Sequence, residues 1–212
     1  LRAGDRVVDL ATGTADVAIL IAGELATLEG SVDSGTAISG KSGLPVIGID
    51  PSGRMLDVGR KKAADAGLSS SRVQLQIGDA QDLVDIPDGS VDKVTMAFGI
   101  RNVPNRAGAL REIRRIIAAP EPPKLSGKED HLSSSNSDKE ASASGSSVVA
   151  ILELQRPESG VVALAASTFI RYGAPFLGRM MSGSRAEYNH LKNSILGFPT
   201  VAEWVELMAE AG

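Results

Sequence analysis

The stretch VVDLATGTAD, residues 7–16, decides the fold of this chain. A short apolar run contains Asp9, a turn of small residues follows, and apolar side chains then recur at helical spacing over residues 17–28. This pattern predicts a strand, a tight turn and a helix. Backbone amides at a helix N-terminus attract anionic and polar ligand groups, and Asp9 adds a carboxylate. Such a turn suits a nucleotide-like cofactor, although an ordinary crowded corner of small residues gives the same short motif.

Two further predicted strands also end in an acid. The runs VIGID at 46–50 and VQLQIGD at 73–79 end in Asp50 and Asp79, and a helix is predicted between them. In a doubly wound sheet the carboxyl ends of parallel strands lie along one edge, where ligands bind. Each aspartate alone suits a helix cap or a turn. The three together favour a cofactor site.

The rest of the chain continues this alternation. A fourth strand is predicted at 91–98, a helix at 105–117 and an apolar strand covered on both faces at 148–154. The arginines of the 105–117 helix are interpreted as its solvated side: Arg106, Arg111 and Arg114. The last predicted helix is capped by Thr200, with Glu203 in the capping-box position. Its apolar side consists of Val201, Trp204, Val205 and Met208. The fold class is therefore α/β, a Rossmann-like, doubly wound, mostly parallel sheet in a single domain over 1–212.

Two segments interrupt the predicted elements. Residues 29–44 are rich in Gly, Ser and Thr and are predicted to be a surface-loop insertion, and residues 120–147 a disordered, Ser-rich insertion. Residues 160–212 are predicted to form a helical region on the substrate side. The chain begins at Leu1 rather than Met, and Gly212 directly follows a helical pattern, so we expect it to be truncated at both ends.

Composition excludes several classes of function. The chain has 22 basic and 26 acidic residues and a net charge of −4, which argues against nucleic acid as a partner. It contains no cysteine, so disulfides, thiolate zinc sites and cysteine nucleophiles are excluded. With only two histidines, no metal is expected. No apolar run reaches the length of a membrane span.

With these blocks placed, the chain resembles the S-adenosylmethionine-dependent methyltransferases of Rossmann-like fold, and specifically the UbiE-type quinone-ring C-methyltransferases. The most specific motif is FGIRNV at residues 98–103, which is more restrictive than a glycine loop. The other matching blocks are residues 7–16, 46–59, 78–83, 152–157 and 188–199.

The resemblance implies a class I methyltransferase that methylates a carbon of a polyprenylated benzoquinol ring, of the 2-methoxy-6-polyprenyl-1,4-benzoquinol type, in ubiquinone biosynthesis. Its cofactor would be S-adenosylmethionine. The insertion at 29–44 is similar to eukaryotic members, which places the protein on the matrix side of the mitochondrial inner membrane, with the bacterial cytoplasm as the alternative. Expected partners are other quinone-biosynthesis proteins, a peripheral membrane contact and, as an option, a second copy of the chain.

The resemblance also assigns the cofactor-binding residues. The Gly13 backbone and Thr14 would line the methionine end, and Asp50 would hold the ribose hydroxyls. Asp79 and Ala80 would lie against the adenine. The full expected set is Asp9, Gly13, Thr14, Asp50, Asp79, Ala80 and Ala97.

Three residues are candidates for the chemistry. Arg101, a permanent cation, would lower the pKa of the substrate hydroxyl directly or through water. Tyr188 and His190 would shape or deprotonate the acceptor, although a lone histidine more often has a structural or surface role. Glu153 is open to two roles, orienting a polar group or forming a structural pair.

The chain departs from the family at two turn positions, where Thr12 and Ala15 replace the usual glycines. The turn must therefore avoid positive φ there or accept strain. Two other functions compete with methyl transfer: a non-catalytic, cofactor-binding scaffold subunit and a nicotinamide oxidoreductase. The oxidoreductase would need a G-x-G-x-x-G turn, which residues 11–16 do not provide.

Overall fold

A computed structural model describes residues 1–32, 44–117, 147–154, 161, 168, 191 and 193–212. Strands and helices alternate from the start of this part of the chain. The elements are β1 (Val7–Leu10), α1 (Asp16–Val32), β2 (Val46–Asp50), α2 (Gly53–Asp65), β3 (Val73–Ile77), β4 (Lys93–Ala97), α3 (Arg106–Ile116), β5 (Val148–Leu152) and α4 (Val201–Ala211), with a 3₁₀ turn at Ile100–Asn102.

The strands form one parallel sheet in the order β3-β2-β1-β4-β5. Asp9 of β1 is in register with Gly48 of β2 on one side and with Thr95 of β4 on the other. This order confirms the predicted Rossmann-like, doubly wound fold. The strand order reverses between β1 and β4, and ligands bind outside the carboxyl ends at such a switch point.

Alternate side chains of β1 face opposite layers of helices. Val7 packs with α1 residues such as Ala18 and Leu25, whereas Val8 belongs to the cluster that contains Leu110 of α3. Burial of a valine or leucine side chain contributes about 1.5–3 kcal/mol, so both layers hold β1 at the centre of the sheet. The turn that follows β1 is therefore attached to a strand whose four residues are all buried.

Helix α1 runs further than the sequence pattern indicated. The predicted loop at 29–44 is wrong for residues 29–32, which form the last turn of α1. The Glu29 carboxylate pairs with the Arg72 guanidinium, and this long-range ion pair anchors that turn. Residues 33–43 and 118–146 lie outside the described residues, and the latter range includes all of the predicted Ser-rich insertion at 120–147 except Ser147.

Helix α3 confirms two of the three solvated arginines. Arg111 and Arg114 are exposed, but the assignment of Arg106 to the solvated side is wrong. The Arg106 guanidinium donates hydrogen bonds to the carbonyls of Ile100 (3.2 Å) and Arg101 (3.0 Å) and lies over the Phe198 ring. Arg106 therefore holds the 3₁₀ turn that follows β4 against the start of α3.

Helix α4 begins with the predicted capping box, in which Thr200 and Glu203 exchange hydrogen bonds. The predicted apolar side of α4 is correct only for Trp204. Trp204 packs against the core together with Leu207 and Ala211, and the other three predicted residues are exposed: Val201, Val205 and Met208. The side of α4 that packs inward therefore carries Trp204 and the residues three and seven positions after it.

Strand β5 was predicted to be covered on both faces. Val149 and Ile151 pack against the core, but Val148 and Leu152 on the other face are exposed. One face of β5 is therefore open at the edge of the described sheet. Among the described residues, no helix is both long and apolar enough to cross a bilayer.

Candidate active site

A cavity of about 750 Å³ lies across the carboxyl ends of the strands. A volume of this order suits a small molecule or cofactor. Neighbouring strands lie about 4.8 Å apart, so the five strand ends span about 19 Å from β3 to β5. The cavity lining includes Asp9, Thr12, Gly13, Asp16, Asp50, Met55, Asp79, Ala80, Met96, Ala97, Phe98, Gly99, Asn102, Val103 and Leu152.

Asp9 anchors the turn after β1 from below. Its side chain is almost completely buried, with 1% exposure, and its two oxygens accept hydrogen bonds from the hydroxyls of Thr12 and Thr95, both at 2.6 Å. Burial raises the pKa of Asp9 above its ordinary value, and the nearby Asp50 charge acts in the same direction, whereas the two threonine hydrogen bonds oppose the rise. Asp9 thus ties β1, its turn and β4 together at the floor of the cavity.

Asp50 connects the turn after β1 to the start of α2. One carboxylate oxygen accepts from the Gly13 amide at 2.9 Å, and the other accepts from the Ser52 amide at 2.8 Å. A carboxylate has about four acceptor positions, so these two bonds leave capacity for ligand hydroxyls. Asp50 lines the cavity at the end of β2, where the ribose role was expected.

The turn after β1 places Ala15, but not Thr12, at a positive φ. Ala15 adopts a φ of +63° and accepts strain, and so does Ala11 at +50°, whereas Thr12 is not in the positive-φ region. The Thr12 side chain fits because residue 48 is glycine: a Cβ there would lie 2.9 Å from the Thr12 hydroxyl. Gly13 supplies the remaining positive φ, at +57°.

Thr14 lies beside the cavity rather than in its lining. Its hydroxyl donates to the Asp16 carboxylate at 2.7 Å and accepts from the Lys62 ammonium at 2.8 Å. The Lys62 hydrogen bond is the main cause that lowers the pKa of Asp16. Thr12, not Thr14, lines the cavity at this point. The expected contact of Thr14 with the methionine end stays a prediction.

The loop after β3 and the end of β4 supply the other expected cofactor residues. Asp79 is exposed, and its carboxylate accepts from the Gln81 backbone amide at 2.9 Å and from the Gln81 side-chain amide. Ala80 is buried beside it, and Ala97 lines the cavity from β4. Of the seven expected cofactor residues, the structure brings six to the cavity, and Thr14 is the exception.

Arg101 and Glu153 form an ion pair where β4 and β5 end. Their side chains are only 12% and 7% exposed, and the Glu153 carboxylate also accepts from the Arg101 backbone amide. The Arg101 Nε is buried and has no acceptor among the described residues. Of the two roles left open for Glu153, the structure shows pairing. Tyr188 and His190 lie outside the described residues.

Several residues that line the cavity at the ends of β4 and β5 were not predicted as site residues, among them Phe98, Asn102 and Leu152. Phe98 has a φ of +56°, which is rare for a bulky residue. Its place in the FGIRNV motif was the available signal, but nothing in a sequence reports a backbone dihedral angle.

Comparison with known proteins assigns this arrangement to a family. The model of the ubiE/COQ5 methyltransferase family matches residues 1–121 and 142–212. This chain belongs to the ubiE/COQ5 methyltransferase family. The family comprises S-adenosylmethionine-dependent methyltransferases of quinone biosynthesis, so the chain is an enzyme of this class and its cofactor is S-adenosylmethionine.

Individual relatives agree with this assignment. Demethylmenaquinone methyltransferase from Bacillus subtilis is 31% identical over the whole chain, which covers 72% of that protein. The enzyme of the same name from Thermotoga maritima is 30% identical over 98% of the chain and 69% of its own length. Among solved structures, the YcgJ protein of Bacillus subtilis has 20% identity and a TM-score of 0.52, covering 99% of this chain and 62% of its own. That likeness supports the fold.

The residues present fit this cofactor. Acceptor groups at the ends of β1, β2 and β3 face a cavity of sufficient size, and the Gly13 backbone is open to it. A Cβ on Gly13 would lie 3.0 Å from the Met55 side chain and would require a strained backbone. Asp50 and Asp79 would hold hydroxyl and amine groups, and Ala80 and Ala97 would contact the flat base or the thioether chain.

Proposed function

We propose that this methyltransferase methylates a ring carbon of a polyprenylated benzoquinol, of the 2-methoxy-6-polyprenyl-1,4-benzoquinol type. The observation that carries the proposal is the change in character of the cavity along the sheet edge. The ends of β1, β2 and β3 contribute carboxylates, whereas β4 and β5 contribute apolar groups, among them Met96, Phe98 and Leu152. An apolar aromatic ring fits beside the cofactor at the β4–β5 end.

When bound, the cofactor supplies an electrophilic methyl group. The residues of the chain must align the acceptor, exclude water and stabilise the charge of the ring oxygen once it loses its proton. Arg101 is the proposed cation for that oxygen. Its guanidinium lies beside Phe98, which lines the cavity, and its buried Nε–H has no acceptor among the described residues. The pairing with Glu153 fixes the guanidinium plane. Tyr188 and His190 remain proposed helpers in shaping or deprotonating the acceptor.

A naphthoquinol ring is the second candidate acceptor. The relatives at 31% identity are named demethylmenaquinone methyltransferases, so their stated acceptor is a naphthoquinone-type ring. Both rings are flat, apolar and hydroxylated, and both fit the character of the β4–β5 end. Turnover of each acceptor by the same preparation decides between them.

The test has a binding arm and a transfer arm. The full chain is titrated calorimetrically with S-adenosylhomocysteine and, separately, with a nicotinamide dinucleotide. Methyl transfer is then measured with short-tailed demethyl benzoquinol and demethyl naphthoquinol as acceptors. Transfer to the benzoquinol supports the proposal, transfer to the naphthoquinol alone selects the second candidate, and cofactor binding without transfer to either supports the scaffold function.

The cellular setting forms part of the same proposal. A polyprenyl tail partitions into a bilayer, so the enzyme would work in peripheral contact with a membrane and beside other quinone-biosynthesis proteins. We propose the matrix side of the mitochondrial inner membrane, with the bacterial cytoplasm as the alternative. Fractionation of cells that express the tagged full-length protein tests this placement.

A further inference from the structure

We infer that the Phe98 ring is the platform on which the acceptor ring stacks, and that the strained backbone of Phe98 exists to hold it there. The inference rests on the proposed function, because it names the residue that recognises a flat aromatic acceptor in the same cavity. Phe98 lines the cavity beyond the carboxylates of β1 to β3.

The first support is the backbone of Phe98. A φ of +56° in a bulky residue is an unfavourable conformation that persists only when its surroundings impose it. Two contacts impose it here. The Phe98 amide donates to the Leu152 carbonyl at 2.8 Å, and the next residue, Gly99, lies so close to Ala11 that a Cβ would overlap it. The segment is therefore clamped between β5 and the turn after β1.

The second support is where this clamp places the ring. Phe98 is 44% exposed, although it directly follows β4, a central strand of the sheet. Leu152, which also lines the cavity, is 58% exposed. Neighbouring apolar groups left open at the mouth of a cavity are typical of a ligand surface. A negative φ would be lower in energy but would direct the Phe98 side chain away from this position.

The third support is the link to Arg101. Its guanidinium carbon lies 5.8 Å from the centroid of the Phe98 ring. Phe98 thus contacts the residue proposed to stabilise the ring oxygen of the acceptor. Aromatic rings prefer offset or edge-to-face contacts at 4.5–7 Å, so an acceptor on Phe98 would pack against a ring that is itself in contact with that cation.

The test compares Phe98→Ala, Phe98→Gly and Phe98→Tyr in the full chain, with Leu20→Ala as control, because Leu20 is exposed on the outside of α1. We expect KM for the acceptor to rise about tenfold or more in both the Ala and Gly variants and to stay near wild type in the Tyr variant. The dissociation constant of S-adenosylhomocysteine should change less than twofold in all four.

Melting temperature separates this role from a structural one. Glycine adopts the required φ without strain, so Phe98→Gly should melt higher than Phe98→Ala while sharing its raised KM. The inference is overturned if KM for the acceptor changes in parallel with melting temperature across the variants, or if KM is unchanged in Phe98→Ala.

Failure of the proposed function is recognised separately. If wild-type protein transfers no methyl group to either quinol, binding of the same quinols to the S-adenosylhomocysteine complex is measured calorimetrically. Binding that is lost in Phe98→Ala and kept in Phe98→Tyr supports the stacking platform without turnover. Binding that is equal in all variants, or absent from wild type, overturns it.

Discussion

Arg101 and Glu153 neutralise each other in a largely buried position, which changes how the arginine is tested. We predict that Arg101→Ala lowers methyl transfer by at least about a hundredfold, because a fixed donor to the developing oxyanion is lost. The same change leaves the Glu153 carboxylate unpaired and costs about 3–5 kcal/mol of stability. A measurement of activity alone would therefore not distinguish the loss of a catalytic group from unfolding of the protein.

A matched variant separates the two effects. Arg101→Gln combined with Glu153→Gln replaces the ion pair by two neutral amides that can hydrogen-bond to each other. We expect this double variant to regain most of the stability and to bind S-adenosylhomocysteine normally, but not to regain turnover. Near-normal turnover in the double variant would remove Arg101 from the mechanism.

Asp50 is the residue on which cofactor affinity should depend most. Asp50→Asn keeps only one carbonyl oxygen for the Gly13 and Ser52 amides, so one backbone donor loses its acceptor. We predict that the dissociation constant of S-adenosylhomocysteine rises about tenfold or more, since a hydrogen bond to a charged group contributes about 1.5–3 kcal/mol. Calorimetric titration measures this constant.

Asp57 provides the control for Asp50. It lies on α2, is exposed and pairs with Arg60 away from the cavity, so Asp57→Asn should leave the constant unchanged. Equal affinity in wild type and Asp50→Asn would count against the ribose assignment.

At the scale of elements, the turn after β1 and the loop after β4 are packed against each other through Ala11 and Gly99. A Cβ on Gly99 would overlap the Ala11 Cβ and crowd Met96. We predict that Gly99→Ala destabilises the protein by about 1–3 kcal/mol, the usual cost of overpacking. Urea denaturation monitored by circular dichroism gives the change.

A second substitution tests the cause. Ala11→Gly removes the overlapping methyl group and also relieves a φ of +50°, so the double variant with Gly99→Ala should regain at least half of the lost stability. If the stability change of the double variant equals the sum of the changes in the two single variants, the two loops do not meet in solution.

The sequence was sufficient for those elements whose signal is local. The βα turn at residues 7–16 and the capping box at Thr200 each combine periodicity with a known end signal, and the structure has both. The strand-end acids Asp9 and Asp50 were found because parallel strands in this fold end at one edge.

The errors arose where the outcome depends on partners distant in sequence. Contacts with Phe198 and the core decide which side of α4 packs inward and whether Arg106 is solvent-exposed. No local sequence pattern encodes these contacts. The positive φ of Phe98 and the Arg101–Glu153 pair are likewise consequences of β5 lying beside β4.

At the scale of the whole molecule, the cavity and the core share the same central strands. Asp9 lies between them, since β1 is packed on both faces and the Asp9 carboxylate supports the turn that faces the cavity. A charge in this position lowers stability unless its hydrogen bonds offset desolvation. The raised pKa of Asp9 indicates that they offset it only in part.

This imbalance predicts a pH dependence of stability. Because the pKa of Asp9 is higher in the folded state than its ordinary 3.8, the folded chain binds a proton that the unfolded chain releases. The Asp9 contribution to stability is therefore complete below pH 3.8 and is lost as pH rises through the folded pKa. Asp9→Asn cannot ionise and escapes this loss. We predict that the free energy of unfolding of Asp9→Asn, minus that of wild type, increases over this window and then levels off.

The difference in free energy of unfolding between Asp9→Asn and wild type reports on Asp9 and not on the other acidic residues. Asp16 and Glu112 have lowered pKa values, so their contributions are lost as pH falls, but both are present in wild type and variant and cancel. Thr95→Val is the control: it keeps the Asp9 carboxylate and removes one hydrogen bond that lowers its pKa, so the window should extend to higher pH. Urea midpoints measured from acidic to neutral pH give these differences, and a flat difference for Asp9→Asn would mean that the Asp9 carboxylate is fully compensated in the folded chain.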